Sequence, residues 1–385
     1  MCFALFASFV PNLMADSKTK SQTSSQNEHI KSKVKSKSIM CTGTLACRSP
    51  LVAKSYANHD HALVWIANGQ LTKAGVNLVL KIRESYLDGL NPSTYHVVQI
   101  NAMIKQLKYM DRSKSAPLLA DLDATLTDAF FLMADHLSNG IVKAHEVSSH
   151  FTFPEKKNIN FHDVENRALR TGNVAQELNA LAPKNPMYAR LKAKLREYYN
   201  VTENGGFLPI SADDSLQPGS QGEAVKLVKH RLSTTGELEQ AKHSAEYDKA
   251  LEVAVKKFQQ NNRLEPDGLI GVSTLKALNT PAERRIQKIA LNMDRLRILP
   301  GYMASRHVII NIPSYTLHAF SGGKMVLTMP VVVGKPSRPS CILNSRITQV
   351  EFHPYWNVPT SIAPEIIQEG RRNINNYMPT CHVSR

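Results

Sequence analysis

Cysteine is scarce in this chain. Five occur in 385 residues, Cys2, Cys41, Cys47, Cys341 and Cys381, and no two form a C-x-x-C pair. An odd number without paired spacing excludes both a zinc ribbon and a dense disulfide framework. Aromatic residues are 7% of the sequence, and neither a base-stacking motif nor a helix-turn-helix is written, so nucleic acid is not an expected partner. Acidic residues are outnumbered, 32 against 47 Lys and Arg, leaving a formal charge of +15. That surplus disfavours self-association and favours anionic partners: nucleic acid, anionic lipid or the carboxylates of a cell-wall polymer. After the first residues no apolar run is long enough to span a bilayer. Gly323-Lys324 lacks the earlier glycine and the following Ser or Thr of a phosphate-binding loop.

What is present divides into segments. Residues 1–15, "MCFALFASFVPNLMA", form an apolar run resembling the core and cleavage site of a secretory signal, without its basic start. Residues 16–55 are rich in Ser, Thr and Lys, with Lys31, Lys33, Lys35 and Lys37 alternating with other residues. Such a composition buries too little apolar surface to offset ordering entropy, which predicts a flexible linker. From 56 to 205 the apolar spacing is helical, as at Leu71, Ala74, Leu78 and Ile82, and again at Leu122, Leu126, Ala129 and Leu132. An all-helical domain is expected there, interrupted at "DGLNPSTYHV", where Gly89 and Pro92 stop one run and Ser93 or Thr94 caps the next. His59, Asp60 and His61 lack helical metal-ligand spacing and are expected in a surface turn, so no metal is predicted.

Residues 212–282 read as three short helices around a small core. "YDKALEVAVKKFQQ" places Leu251, Ala254, Val255 and Phe258 on one face. "DGLIGVSTLKALN" supplies a turn at Asp267-Gly268, a glycine for close approach at Gly271, and a last short helix. From 283 to 385 an amphipathic helix, burying Ile286, Ile289, Ala290 and Met293, gives way to β-rich runs: "RHVIINIP", "YTLHAF", "MVLTMPVVVG" and "RITQVEF". A hairpin turn at Ser321-Gly322-Gly323-Lys324 joins two of them. The expected fold class is thus multidomain α + β.

The segment "LQPGSQGEAVKLVKHRL", followed by "FQQNNRLEPDGLIGVSTLKALN", resembles the small peptidoglycan-binding domain found beside cell-wall enzymes. Its signature residues here are Gly219, Phe258, Gln259, Asp267, Gly268, Gly271 and Thr274. Individually they serve the fold, so a ligand-binding face does not follow from them. Downstream, "LNMDRLRILP", "HVIINIPSYTLHAF", "MPVVVGKPSRPS" and "HPYWNVPTSIAPEII" follow the order of the large periplasmic L,D-transpeptidases, and "HALVWIANGQLT" resembles their scaffold domain. The chain departs from that pattern at Ile298, where the family tends to be aromatic, and at Ser340-Cys341, which replaces Thr-Pro. The resemblance implies an all-helical scaffold domain, a three-helix peptidoglycan-binding domain and a mainly-β cysteine transpeptidase domain. It implies peptidoglycan as partner, a periplasmic or cell-envelope location, and no cofactor.

Acyl exchange between stem peptides needs a thiolate, a base beside it and donors for the oxyanion. The family's nucleophile resembles S-H-G-C-x-R, and residues 1–385 do not contain that motif. Cys381 and His382 are adjacent, and neighbouring side chains on an extended segment point to opposite faces, so the pair is rejected as nucleophile and base. The expectation is a chain truncated before its catalytic motif, catalytically silent and peptidoglycan-binding, with residues from about Arg306 onward poorly ordered or aggregation-prone for want of partner strands. Two alternatives remain open: an active transferase, through Cys381 or a C-terminal continuation, and a basic binder of nucleic acid or membrane surface.

Overall fold

The computed structural model describes residues 49–142, 158–212, 215–239, 244–299, 304–335, 337, 339–340 and 345–353, with isolated positions toward each end. The apolar segment 1–15 and most of the expected linker lie outside the described residues. Residues 1–340 form one compact unit and 341–385 a second.

The helical domain opens with α1 (Ser49–Asn58), which begins inside the stretch expected to be linker. Val52 and Tyr56, one turn apart, are buried in the core that also takes Ile30. A β-hairpin, β1 (Ile66–Ala67) and β2 (Gln70–Leu71), leads into α2 (Lys73–Arg83), whose N-cap Thr72 accepts from the Gly75 amide. Ala74, Leu78 and Ile82 are buried as their spacing requires. The predicted break follows: a 3-10 turn at Ser85–Asp88, left-handed Gly89, a second turn at Pro92–Tyr95, then α3 (Val97–Tyr109). The capping side chain is Asn91, which accepts from the Ser93 amide, rather than Ser93 or Thr94. Asn91 immediately precedes the proline that opens the turn, and its carbonyl reaches two residues on.

Helix α4 (Ala116–Asn139) is the centre of this domain and is buried along most of its surface, polar residues such as Asp123, Thr127 and Asp128 included. A helix surrounded by others cannot leave its polar groups to water, so they are tied. Asp123 accepts from Tyr56 Oη at 2.6 Å and from the Trp65 amide at 2.8 Å, and Thr127 Oγ1 accepts from Trp65 Nε1 at 2.9 Å. Helices α5 (Phe161–Thr171), α6 (Val174–Asn179) and α7 (Pro186–Glu203) follow.

The peptidoglycan-binding-like segment forms α8 (Glu223–Thr235), α9 (Lys249–Asn261) and α10 (Val272–Leu278) around its own core of Val225, Val228, Leu232, Leu251, Val255 and Phe258. Helix α11 (Ala282–Ile298) then packs along α7 and against α4. Met293 joins Tyr188 and Leu195 in a shared core, with Ile286 and Ile289 half-buried beside it. The helix expected to open the third domain is therefore part of the first. Two of its buried residues are charged: Arg297 Nη2 donates to Tyr188 Oη at 2.8 Å and to the Asp88 carbonyl, while Asp294 accepts the Ile141 amide at 2.8 Å. The three-helix module is thus inserted between two neighbouring helices, and Asn279 clasps its ends, giving and taking a 2.8 Å hydrogen bond with the Ile210 backbone.

Strands β3 (Arg306–Asn311), β4 (Thr316–Ser321) and β5 (Lys324–Pro330) form an antiparallel sheet in that order. Gly322 and Gly323 turn the predicted hairpin with φ of 56° and 75°, a two-residue turn that requires positive φ at both centres. Of Val326 to Gly334, expected to lack partner strands, Leu327 to Pro330 pair with β4 on one side, while Val326 falls at a shift in the register. No residue of the three strands is buried. In the second unit, "RITQVEF" belongs to no strand, and Ile347, Val350 and Phe352 are exposed; β-propensity alone does not hold a strand without a ladder. Trp356–Asn357 (β6) and Cys381–His382 (β7) form a short parallel pair.

Candidate peptidoglycan-binding module

The signature residues converge on Gln259, which is 1% exposed. Its Nε2 donates to Asp267 Oδ1 at 2.8 Å, to the Leu269 carbonyl at 2.9 Å and to Thr274 Oγ1 at 3.2 Å, and its Oε1 accepts the Gly268 amide at 2.9 Å. Asp267 also accepts the Leu269 amide at 2.8 Å, and that bond with Gln259 holds its carboxyl below the usual range. Gly268 has φ +83°, which explains its presence, and Tyr247 Oη donates to its carbonyl at 2.6 Å. Phe258 fills the core beneath.

Gly219, with φ +91°, turns the entry strand so that its amide donates to the Tyr247 carbonyl at 3.0 Å. Gly271 differs from expectation: its φ is −83°, and a Cβ there would meet Ser215 Oγ at an ordinary 3.7 Å. It makes no close approach and serves as the N-cap of α10. Gln259, Asp267, Gly268 and Thr274 therefore act as one internal staple between α9, the 262–271 loop and α10, and Gly219 joins it only through Tyr247.

His59, Asp60 and His61 lie in a turn, with Asp60 and His61 at positive φ and His59 Nδ1 2.8 Å from the Ser55 carbonyl. No cluster of three or more metal-ligating side chains occurs among the described residues. Cys381 and His382 enter only through the backbone pairing of β7.

Two hollows flank the helices. The larger, about 460 Å³, lies beside Asp163, Arg167 and Ala180 to Lys184, and its Arg167 is ion-paired with Glu177 at 2.8 Å. The smaller, about 200 Å³, is walled by α7 on one side and α8 and α9 on the other. Arg231 and Arg285 both line it. Burial, and then the neighbouring Arg285 charge, push the Arg231 guanidinium down to about 10. Tyr198, across the cleft, is raised by burial. Sequence spacing gave no sign of this cleft, because Arg231 and Arg285 lie on helices separated by most of the module.

Three family descriptions match the chain in order: "Scaffold domain" over residues 50–195, "Putative peptidoglycan binding domain" over 221–278, and "L,D-transpeptidase catalytic domain" over 305–380. By these matches the chain is similar, segment by segment and in that order, to the three domains those descriptions name. A curated protein of Haemophilus influenzae, described as "Putative L,D-transpeptidase", is 33% identical over 92 residues. That alignment takes in 24% of this chain and 18% of the Haemophilus protein.

Proposed function

We propose that residues 1–385 act as a peptidoglycan-binding protein of the cell envelope or periplasm, anchored by the inserted module, and that they perform no acyl transfer through Cys381 and His382. The observation that carries this reading is the module itself: its own core, its complete Gln259 staple, and a cleft that opens to solvent beside the scaffold. Arg285 of α11 reaches Asn262 and the Ala277 carbonyl, so the module meets the scaffold at one wall of that cleft.

The staple explains why the signature residues support binding without contacting the ligand. They fix the loop backbone, and the faces left outward recognise the polymer. The net charge of +15 assists, since stem peptides carry carboxylates.

The test is sedimentation of the purified protein with isolated sacculi, alongside intact-mass measurement after incubation with a carbapenem, a drug class that resembles the donor stem. Expected are retention on sacculi and an unchanged mass. Failure to sediment overturns the binding reading, and a single adduct at Cys381 overturns the non-catalytic one.

A further inference from the structure

Arg231 is 5% exposed. Its guanidinium lies 3.5 Å from the Phe207 ring centroid, and its Nη2 donates to the Leu208 carbonyl at 3.5 Å, the outer limit of a hydrogen bond. Arg285 reaches the same cleft from α11, with Nη2 on Asn262 Oδ1 at 3.1 Å and on the Ala277 carbonyl at 3.4 Å. Among the described residues neither guanidinium forms an ion pair. The carboxylates on the wall pair with other lining residues rather than with either arginine: Glu197 holds Lys194 at 2.6 Å, and Glu237 accepts from Thr235 Oγ1 and, at 3.5 Å, from Asn261 Nδ2.

Two like charges directed into one small, half-enclosed space repel each other and are partly desolvated. An interior strut does not require this arrangement. Stacking on Phe207 explains how Arg231 is held flat, but it leaves the convergence of a second arginine from another helix without a cause. An anion between them removes both costs, and two guanidinium forks match a carboxylate better than a neutral hydroxyl. A space of about 200 Å³ is smaller than the roughly 300–1,000 Å³ of a whole small-molecule pocket, so it suits an end group rather than a disaccharide.

We propose that this cleft, formed jointly by Arg231, Thr234 and Asn261 of the module and Tyr198 and Arg285 of the scaffold helices, is a subsite for a carboxylate of a peptidoglycan stem peptide. It rests on the reading of the module as a wall binder and assigns that ligand a place. The subsite exists only where module and scaffold meet, so the isolated module lacks half of it.

The test uses the full chain and two probes in calorimetric titration: a soluble disaccharide tetrapeptide, and the same fragment with its carboxylates methyl-esterified. Arg285→Gln is expected to weaken the free-acid fragment about ten-fold, the loss of one charge-assisted contact. The esterified fragment is expected to bind the wild-type protein equally weakly and to be indifferent to Arg285→Gln. Arg231→Gln should act in the same direction; if it fails to fold, Arg285→Gln decides alone. Equal affinity of folded Arg285→Gln and wild type for the free-acid fragment overturns the subsite, while sacculus retention then leaves the wall-binding reading standing. A wild-type protein that does not sediment with sacculi overturns that reading first, and the subsite with it.

Discussion

Glu165 is a carboxyl held in an apolar setting. It is fully buried, its Oε1 accepts from Ser55 Oγ at 2.7 Å, and burial pushes its carboxyl from 4.5 up to about 7. A folded-state value above the unfolded one means that the folded chain binds the proton more tightly. The associated stability is fully present below about pH 4.5 and is lost as pH rises through 7. The helical domain should therefore be less stable at pH 8 than at pH 5 by on the order of 3 kcal/mol, seen as a lower melting temperature. Melting curves of Glu165→Gln across that range check the assignment, since the amide should remove most of the dependence. Arg297 makes the complementary case. It is 1% exposed and holds Tyr188, Asp294 and the Asp88 carbonyl together. Arg297→Met should cost about 3–5 kcal/mol by leaving the buried Asp294 with amide donors but no cation and the Asp88 carbonyl without its donor, read as a shift in urea midpoint. Neither residue was legible in the sequence: Glu165 and Arg297 sit on helices whose polar faces look solvated until other helices are packed over them.

At the scale of elements, the sequence displayed most of the helices and none of the insertion. The apolar spacings of α2, α4 and α9 declare their buried faces, and the hairpin at Gly322-Gly323 is fixed locally by its turn residues. That α7 and α11 form one pair around an inserted module depends on Met293 meeting Tyr188 and Leu195, contacts about a hundred residues apart. Replacing residues 211–278 by a short Gly/Ser linker should leave the remaining helices cooperatively folded, because insertion points with adjacent ends tolerate such exchange. Circular dichroism melting of that deletion is the check, and loss of cooperative unfolding would show the module to be integral to the scaffold. Asn279→Ala should lower stability by about 1–3 kcal/mol, since two backbone groups of Ile210 lose their partners.

For the whole molecule, the contrast is between helical domains with closed cores and a sheet with none. Val308, Ile310, Val326, Leu327 and Met329 are exposed, and among the described residues β3 and β5 each have one edge without a partner strand. Uncovered apolar strands with free edges promote association between chains. A variant lacking residues 304–385 should remain monodisperse in light scattering at concentrations where the full chain associates, with the melting of the helical domains changed by no more than a few degrees.

The sequence alone determined the elements and their order, because helix periodicity, turn glycines and the Gln259-Asp267-Thr274 spacing are local properties of the chain. It also carried the likeness to the scaffold, peptidoglycan-binding and L,D-transpeptidase families. Only the tertiary structure decided that α11 packs with the helices of the first domain, that Gln259, Gly268 and Thr274 turn inward, and that Arg231 and Arg285 share one cleft. Those outcomes depend on which faces meet, and the free energy of burying two charges beside each other exists only once distant helices have excluded the water between them.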